Sequence, residues 1–338
     1  RAYLHLEFPG QNPTDNCGTF GWLGRDMKAE FPEVQGYARI YKLQDEVIAR
    51  VGETEIGIPA LCYSENSLFD LFSFEFAEGS ADGALSEPTG MVLSQGTAAS
   101  LFGAEKALGR SVTLNGAEEY KVTAVLKEIP RESHLRFDML VPITRRWPLE
   151  TLESYQSMPD HYTYLLLAPG ASYRELERKA TGLLKRVQLP GIDITKGAGI
   201  GLQPLSKVHL YSSHLEYDNL HWRKADITYI LIFSAVGLLM LVVACINFIN
   251  LVTAHSTHRA REVGVRKVVG ASRTQLIRQF LCESILISLL AVIAAQALIE
   301  ISRPLLEQFM VSSQDISYAG GWRFFLLMTA VTVVVGLL

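Results

Sequence analysis

The sequence predicts an α+β globular domain over residues 1–225 joined to an α-helical membrane domain that begins at residue 226. Three observations carry this expectation. Residues 1–226 hold 23 basic and 30 acidic side chains, whereas 227–338 hold 8 and 5. From Ile227 to Ala254 the chain runs 28 residues without a charge, a second run over 281–299 contains only Glu283, and a third starts near Phe324. About 20 apolar residues suffice for a helix to cross the hydrocarbon core. The front part instead reads as short alternating runs separated by turn residues. The whole-chain averages, net charge −4 and 49% hydrophobic, therefore blend two materials. They exclude a collagenous, low-complexity or wholly disordered chain, and the acidic balance gives no electrostatic footprint for nucleic acid.

The globular elements follow from local signals. A helix is expected over 19–30, where Trp22, Leu23 and Met27 share a face, and alternation over 37–41 and 47–51 predicts strands. Ser94 reads as the N-cap of a short helix ending at Phe102. Asn115-Gly116 between two alternating runs marks a hairpin, because both residues tolerate positive φ. An apolar strand over 162–167 leads through Pro169-Gly170 to an amphipathic helix over 172–187, with Leu176, Leu183 and Leu184 on its apolar side.

Catalytic chemistry is hard to find. Residues 103–111 (GAEKALGRS) have one spacer too many for a phosphate loop, place Arg110 where the lysine belongs, and lead into a strand. There is no H-E-x-x-H and no G-x-S-x-G. His134, His161, His209, His214 and His221 lack metal-ligand spacing, so no metal site is expected. Cys245 and Cys282 fall in the apolar runs, where they act as small apolar residues. Cys17 and Cys62 belong to the outer domain, where a disulfide between them and two free thiols are both open readings.

Orientation comes from the segment between the first two apolar runs. It contains Arg259, Arg261, Arg266, Lys267, Arg273 and Arg278 against Glu262 alone. Short Lys/Arg-rich loops stay on the cytoplasmic side, which puts 1–225 and the loop over 302–323 outside. The expected order is a span over 226–255, a cytoplasmic segment over 256–279, a span over 280–301, the outer loop, and the start of a third span over 324–338. A further span upstream of Arg1 is expected to deliver the globular domain. In the first span Asn247 and Asn250 share one helical face. Amides in hydrocarbon seek partners, so this face and Gln296 are expected to pack on other helices, with a transport pathway as the alternative.

The sharpest motif is RAREVGVRKVVGAS, residues 259–272, read as a short basic amphipathic helix, a Gly270-Ala271 turn and a second helix. Ser272 and Gln275 fit a capping box, and Glu262 and Arg266 stand four apart. Contact with lipid headgroups would explain the charge alone, but the embedded Val263, Val265, Val268 and Val269 suit docking on a partner better.

This segment resembles the loop between the second and third spans of FtsX/MacB-type ABC transporter permeases, with their R-x-R/K-E-I/V-G-I/V-R-K-x-x-G-A pattern. LFDLFSF (68–74), ALGR (107–110), VTAVLKEIP (122–130), SHLRFD (133–138) and LSKVHL (205–210) are similar to the family's periplasmic core domain. The likeness extends to large ABC transport system permeases of Bacteroidota, which often carry two such halves.

The resemblance implies a porter-like part with a small subdomain in the periplasm and a multi-pass position in a bacterial inner membrane. It implies a non-catalytic subunit with no cofactor of its own, ATP being bound by a separate cytoplasmic ATPase whose motion the permease relays. It places Arg259, Arg261, Glu262, Val263, Gly264, Val265, Arg266, Lys267, Gly270 and Ala271 in the segment that docks on that ATPase. The further partners implied are a second permease half or a second copy, a periplasmic adaptor and the lipid bilayer. Efflux or extrusion of a periplasmic substrate is the favoured role. The alternative is an FtsX-like relay that activates a cell-wall hydrolase, or a sensor of antimicrobial peptides. The orientation is testable: a thiol introduced near Gly197 is expected to react with a membrane-impermeant reagent in intact cells, and labelling only after lysis would reverse the topology.

Overall fold

The computed structural model describes residues 1–7, 12–130, 133–188, 197–220 and 226–309, together with Ala330; the side chains of residues 252, 255–262 and 303–309 are outside that description. The chain divides into two compact units, Arg1–Thr228 and Tyr229–Leu338.

The first unit opens with β1 (Ala2–Leu6), β2 (Thr14–Asn16), α1 (Leu23–Glu30), β3 (Val34–Lys42), β4 (Val47–Val51), β5 (Thr54–Ile58) and β6 (Leu61–Ser64). There follow α2 (Leu68–Leu71), β7 (Phe76–Gly79), β8 (Gly90–Ser94), α3 (Gln95–Phe102), β9 (Ser111–Leu114), β10 (Glu118–Leu126) and β11 (Met139–Pro142). It closes with α4 (Leu149–Leu152), β12 (Tyr162–Leu167), α5 (Tyr173–Ala180), β13 (Gly199–Leu202) and β14 (Leu215–Glu216). Nine strands form a path β12-β3-β6-β11-β8-β10-β9-β4-β5, with β7 added to β10, and β13-β1-β2-β14 form a separate small sheet. Most pairs are antiparallel, but β8 with β10, β6 with β11 and β2 with β14 run parallel. This is the expected mixed architecture. The small sheet is built from both ends of the unit, which no local pattern announces.

Several elements form for the reasons the sequence offers. Asn115 and Gly116 turn the β9–β10 hairpin at φ 47° and 71°. The Ser94 hydroxyl accepts a hydrogen bond from the Thr97 N–H and caps α3. Ser172 likewise caps α5, but the expected helix to residue 187 holds α geometry only to Ala180 and tightens into a 3-10 turn over Thr181–Arg186. Gly182 and the bond from the Thr181 hydroxyl to the Glu177 carbonyl lie at that transition. The helix expected from residue 19 starts at Leu23 instead. Thr19 is held in an extended bridge, exchanging backbone hydrogen bonds with His161 at 2.6 and 3.1 Å.

The core lies on both faces of the large sheet. Val47, Leu93, Leu101 and Phe102 pack on the α3 side, and Ala38, Cys62, Phe137 and Tyr164 on the other. A third cluster joins the small sheet to α1 and α5 through Leu4, Trp22, Met27 and Leu176. In β10 the register against β8 shifts between Val122 and Ala124. The extra residue flips the alternation, so Tyr120, Val122 and Val125 share one core while Ala124 and Leu126 serve the other.

One charge is enclosed where these layers meet. Arg39 on β3 is only 1% exposed. Its guanidinium pairs with both Glu65 oxygens, donates to the Gly21 carbonyl at 2.6 Å and lies 3.6 Å from Glu153. Glu153 is shared with Arg25 at 2.9 Å, and Arg25, Arg186 and the Tyr155 hydroxyl all bind Asp26. Burial opposes the ionised form of Asp26, but the bonds from Arg186, Arg25 and Tyr155 outweigh it and hold its carboxyl below the ordinary aspartate range.

Cys17 and Cys62 are buried in the same cluster and are not joined by a disulfide, one of the two readings the sequence left open. Burial pushes the Cys62 thiol up to about 12, where it carries no thiolate at neutral pH.

The second unit consists of α6 (Ile227–Val268) and α7 (Arg273–Phe309). Within them, Ile227–Leu251 and Arg273–Ser302 are long and apolar enough to cross a membrane. α6 runs as one helix from the first apolar run through the basic segment to Val268, and α7 is described as far as Phe309. The region expected to hold the third span lies outside the described residues, apart from Ala330.

Two measurements check this description. Arg39→Met leaves Glu65 without its cation in a largely closed site, while Glu153 keeps Arg25, and is expected to destabilise the fold by about 3 kcal/mol, read as a lowered midpoint in thermal or urea unfolding. Cys17 and Cys62 are expected to resist alkylation in the folded protein and to label equally with and without reductant once it is unfolded.

Candidate functional site

The basic segment between the apolar spans folds as a tight helix–turn–helix. At the end of α6 the Ala271 N–H donates to the Arg266 carbonyl and the Gly270 N–H to the Lys267 carbonyl, each at 3.0 Å. These two bonds make a Schellman motif, whose pivot needs a left-handed residue; Gly270 supplies it at φ +99°. Two residues on, the Ser272 hydroxyl accepts from the Gln275 N–H at 3.4 Å, and the Gln275 side chain accepts from the Ser272 N–H at 3.1 Å. That reciprocal pair is the capping box expected from sequence, and it opens α7. The guanidinium of Arg266 crosses the turn to the Gln279 side-chain oxygen at 2.6 Å.

The turn thus joins two helices with no slack, and its surface is unusual. Val268 is 89% exposed and Val269 82%, and Val265 is exposed beside them. Lys267 stands between them and is also exposed. Apolar side chains at a tip, bordered by the cations Arg266 and Lys267, form a patch that gains by being covered. Gly264, Val263 and Ala271 lie on the same stretch. Arg259, Arg261 and Glu262 sit on the helical backbone of α6, but their side chains are outside the described residues, as is the expected Glu262–Arg266 pairing.

Asn247 and Asn250 lie together on one face of α6, as predicted, and are exposed along a groove of about 570 Å³ with Met240, Val243 and Ile246. Gln296 on α7 is half-buried and has an interaction of its own.

Among the described residues, no group of three or more His, Cys, Asp or Glu side chains is placed to hold a metal. Residues 103–111 form a turn into β9 rather than opening a helix, and Gly103 ends α3 at φ +63°. His134 bonds the Tyr164 hydroxyl at 3.0 Å, and His161 is buried against Trp147 with ring centroids 4.8 Å apart. Sequence reasoning missed one feature of the globular unit: a groove of about 740 Å³ between β5 and α3. Asp138 lines it, accepting a hydrogen bond from the Ala60 N–H, and burial raises its carboxyl above the ordinary range. The signal for this groove is tertiary, because it lies between elements about 40 residues apart in the chain.

Comparison with known proteins agrees with this two-part organisation. Residues 8–183 match the MacB-like periplasmic core domain, and residues 234–338 match the FtsX-like permease C-terminal domain. The macrolide export ATP-binding/permease protein MacB of Shewanella sp. (strain ANA-3) is 41% identical over 66 residues, 20% of this chain and 10% of that protein. The protein of the same name from Vibrio parahaemolyticus is 38% identical over 71 residues, 21% of this chain and 11% of that one. The matched stretch is thus about a tenth of these relatives' length. Among solved structures, a permease-protein domain from Porphyromonas gingivalis superposes with a TM-score of 0.52 at 22% identity, covering 60% of this chain and 87% of that one.

Proposed function

We propose a coupling role for this chain from the premise that it belongs to the family of ABC transporter permeases that join a MacB-like periplasmic core domain to an FtsX-like membrane domain. It is a membrane protein with a periplasmic domain. In the proposed reading, it relays motion from a cytoplasmic ATPase on another chain to the periplasmic unit, and the work done there is efflux or extrusion of a periplasmic substrate. The observation that carries this is the α6–α7 turn. Its exposed Val265, Val268 and Val269 beside Arg266 and Lys267 offer an apolar and cationic contact, and the Schellman motif and capping box fix its shape.

A rigid turn suits transmission for a physical reason. A floppy loop between two spans would absorb displacement as conformational entropy, whereas a turn with its backbone groups paired moves both helices together. The relatives named as macrolide exporters carry ATP-binding and permease functions under one name. In this chain no phosphate-binding loop is present in the sequence, in keeping with ATP hydrolysis outside it. The mechanistic role of the chain's own residues is therefore positional: Gly270 sets the turn, Ser272 and Gln275 start α7, and the valines and cations meet the partner.

The test uses the full-length permease with its partner ATPase in a reconstituted bilayer. Charge reversal at Arg261 and Arg266 to Glu is expected to lower permease-dependent ATPase stimulation at least about tenfold, a loss of roughly 1.4 kcal/mol of coupling. Because Arg266 also braces the turn, Val268→Asp with Val269→Asp provides a second variant at two side chains that are almost fully exposed. Stimulation and transport unchanged in both, with normal insertion, would remove the turn from the coupling pathway.

A further inference from the structure

We propose that the free edge of β5 is a docking strand for an extended polypeptide segment carrying a basic side chain, added to the large sheet along the groove between β5 and α3. The proposal concerns the globular unit alone and goes beyond the coupling role.

The first argument is the direction of the peptide groups. β5 ends the strand path and, among the described residues, pairs with β4 alone. Ile48 on β4 faces away from β5, because its carbonyl accepts from the Asn115 N–H at 2.8 Å and its own N–H donates to the Asn115 side chain at 3.1 Å. Peptide groups alternate along a strand, so Val47, Ala49 and Val51 face β5 and bond with Ile58, Ile56 and Thr54, their partners in register. The two-residue turn at Gly52-Glu53, with Gly52 at φ +59°, requires the same pairing of Val51 with Thr54. The N–H and C=O groups of Glu55 and Gly57 are left pointing off the sheet.

Exposed edges are usually blunted by charge, proline or a covering element. Glu55 and Pro59 fit that habit. Gly57 between them has no side chain of its own, although the Glu46 carboxylate lies against it on the side where a Cβ would stand, and it lines the groove of about 740 Å³ that β5 shares with Gln95 and Ser100 of α3. An edge sunk in a groove with an unpaired peptide group is a template for one more strand.

The second argument is charge. Glu128 stands where this groove meets a neighbouring one of about 530 Å³, lining both. It takes part in no ion pair among the described residues. Asp138 adds a second carboxylate, while Arg136 already has an interaction of its own. The groove between them is lined by apolar side chains from both cores, Ile56 and Ile58 from the α3 side and Ile129 and Phe137 from the other. A strand whose side chains alternate between apolar and basic satisfies both features, since its period of two sets one row on the apolar lining and a cation against Glu128.

The test uses the full chain in nanodiscs of neutral phosphatidylcholine, with empty discs as the blank. The probe is a capped, fluorescein-labelled heptapeptide, Thr-Val-Thr-Lys-Val-Thr-Val. Saturable binding is expected, weakened at least about tenfold when glutamate replaces the lysine and about fivefold by Glu128→Gln. Two further peptides carry N-methyl groups on one or the other alternate set of amides, each removing one edge of donors. One of the two is expected to lose binding at least about tenfold. Gly57→Pro, which removes an N–H that the ladder does not use and makes the flexible Glu46 side chain lying against Gly57 move aside, is expected to act in the same way. No saturable binding, equal binding of the glutamate peptide, or full binding of both N-methylated peptides would each overturn the proposal, and the peptide arms leave the protein unchanged.

Discussion

The globular unit depends on how it accommodates one buried guanidinium. Arg39 lies inside the fold with a formal charge that costs several kcal/mol to desolvate unless it is fully paired. Glu65, the Gly21 carbonyl and Glu153 come from three separate parts of the chain, and each must be in place before the charge is tolerable. The α1 entry, the β6–α2 turn and the segment after α4 are thereby set against β3 at once. Hydrophobic burial supplies the bulk of the stability; Arg39 instead supplies a condition that misdocked arrangements fail. Asp26 repeats the device a layer further out, where Arg25, Arg186 and Tyr155 converge on one carboxylate.

The membrane unit follows a different constraint. Its helices owe little to side-chain pairing and much to length: α6 spans 42 residues, about 63 Å at 1.5 Å per residue, against a hydrocarbon core of about 30 Å. The surplus extends the basic segment as helix, so the tip of the turn stands clear of the apolar span. The short basic helix read from the sequence is the last part of α6, continuous with the apolar run before it. Nothing between Ala254 and Val268 breaks it; no proline occurs there, and Gly264 alone costs only about 1 kcal/mol relative to alanine.

What could be read in advance was local or repetitive. The Asn115-Gly116 hairpin, the Ser94 cap, the Ser272–Gln275 box and the long uncharged runs each state their structure within a few residues, and each is present. The valines of the turn were legible as an anomaly in a basic loop, and their exposure follows from the same spacing. Features that depend on distant partners were silent. Thr19 looked helical until His161 claimed its backbone, and the alternation of β10 gave no sign of the register shift beyond Val122. The groove beside β5 was invisible for a related reason: an edge is defined by which strand is missing, and sequence does not say so.

The small sheet joins β1 and β2 from the start of the unit to β13 and β14 from its end, and Arg1 pairs with Asp218 at 3.0 Å between those same two regions. The first and last strands of the unit are therefore neighbours. Fraying that begins at β1 must also release β13, about 200 residues away in the chain, and disturb the cluster through which α1 and α5 pack on the small sheet, so opening at the ends of the unit is tied to its interior.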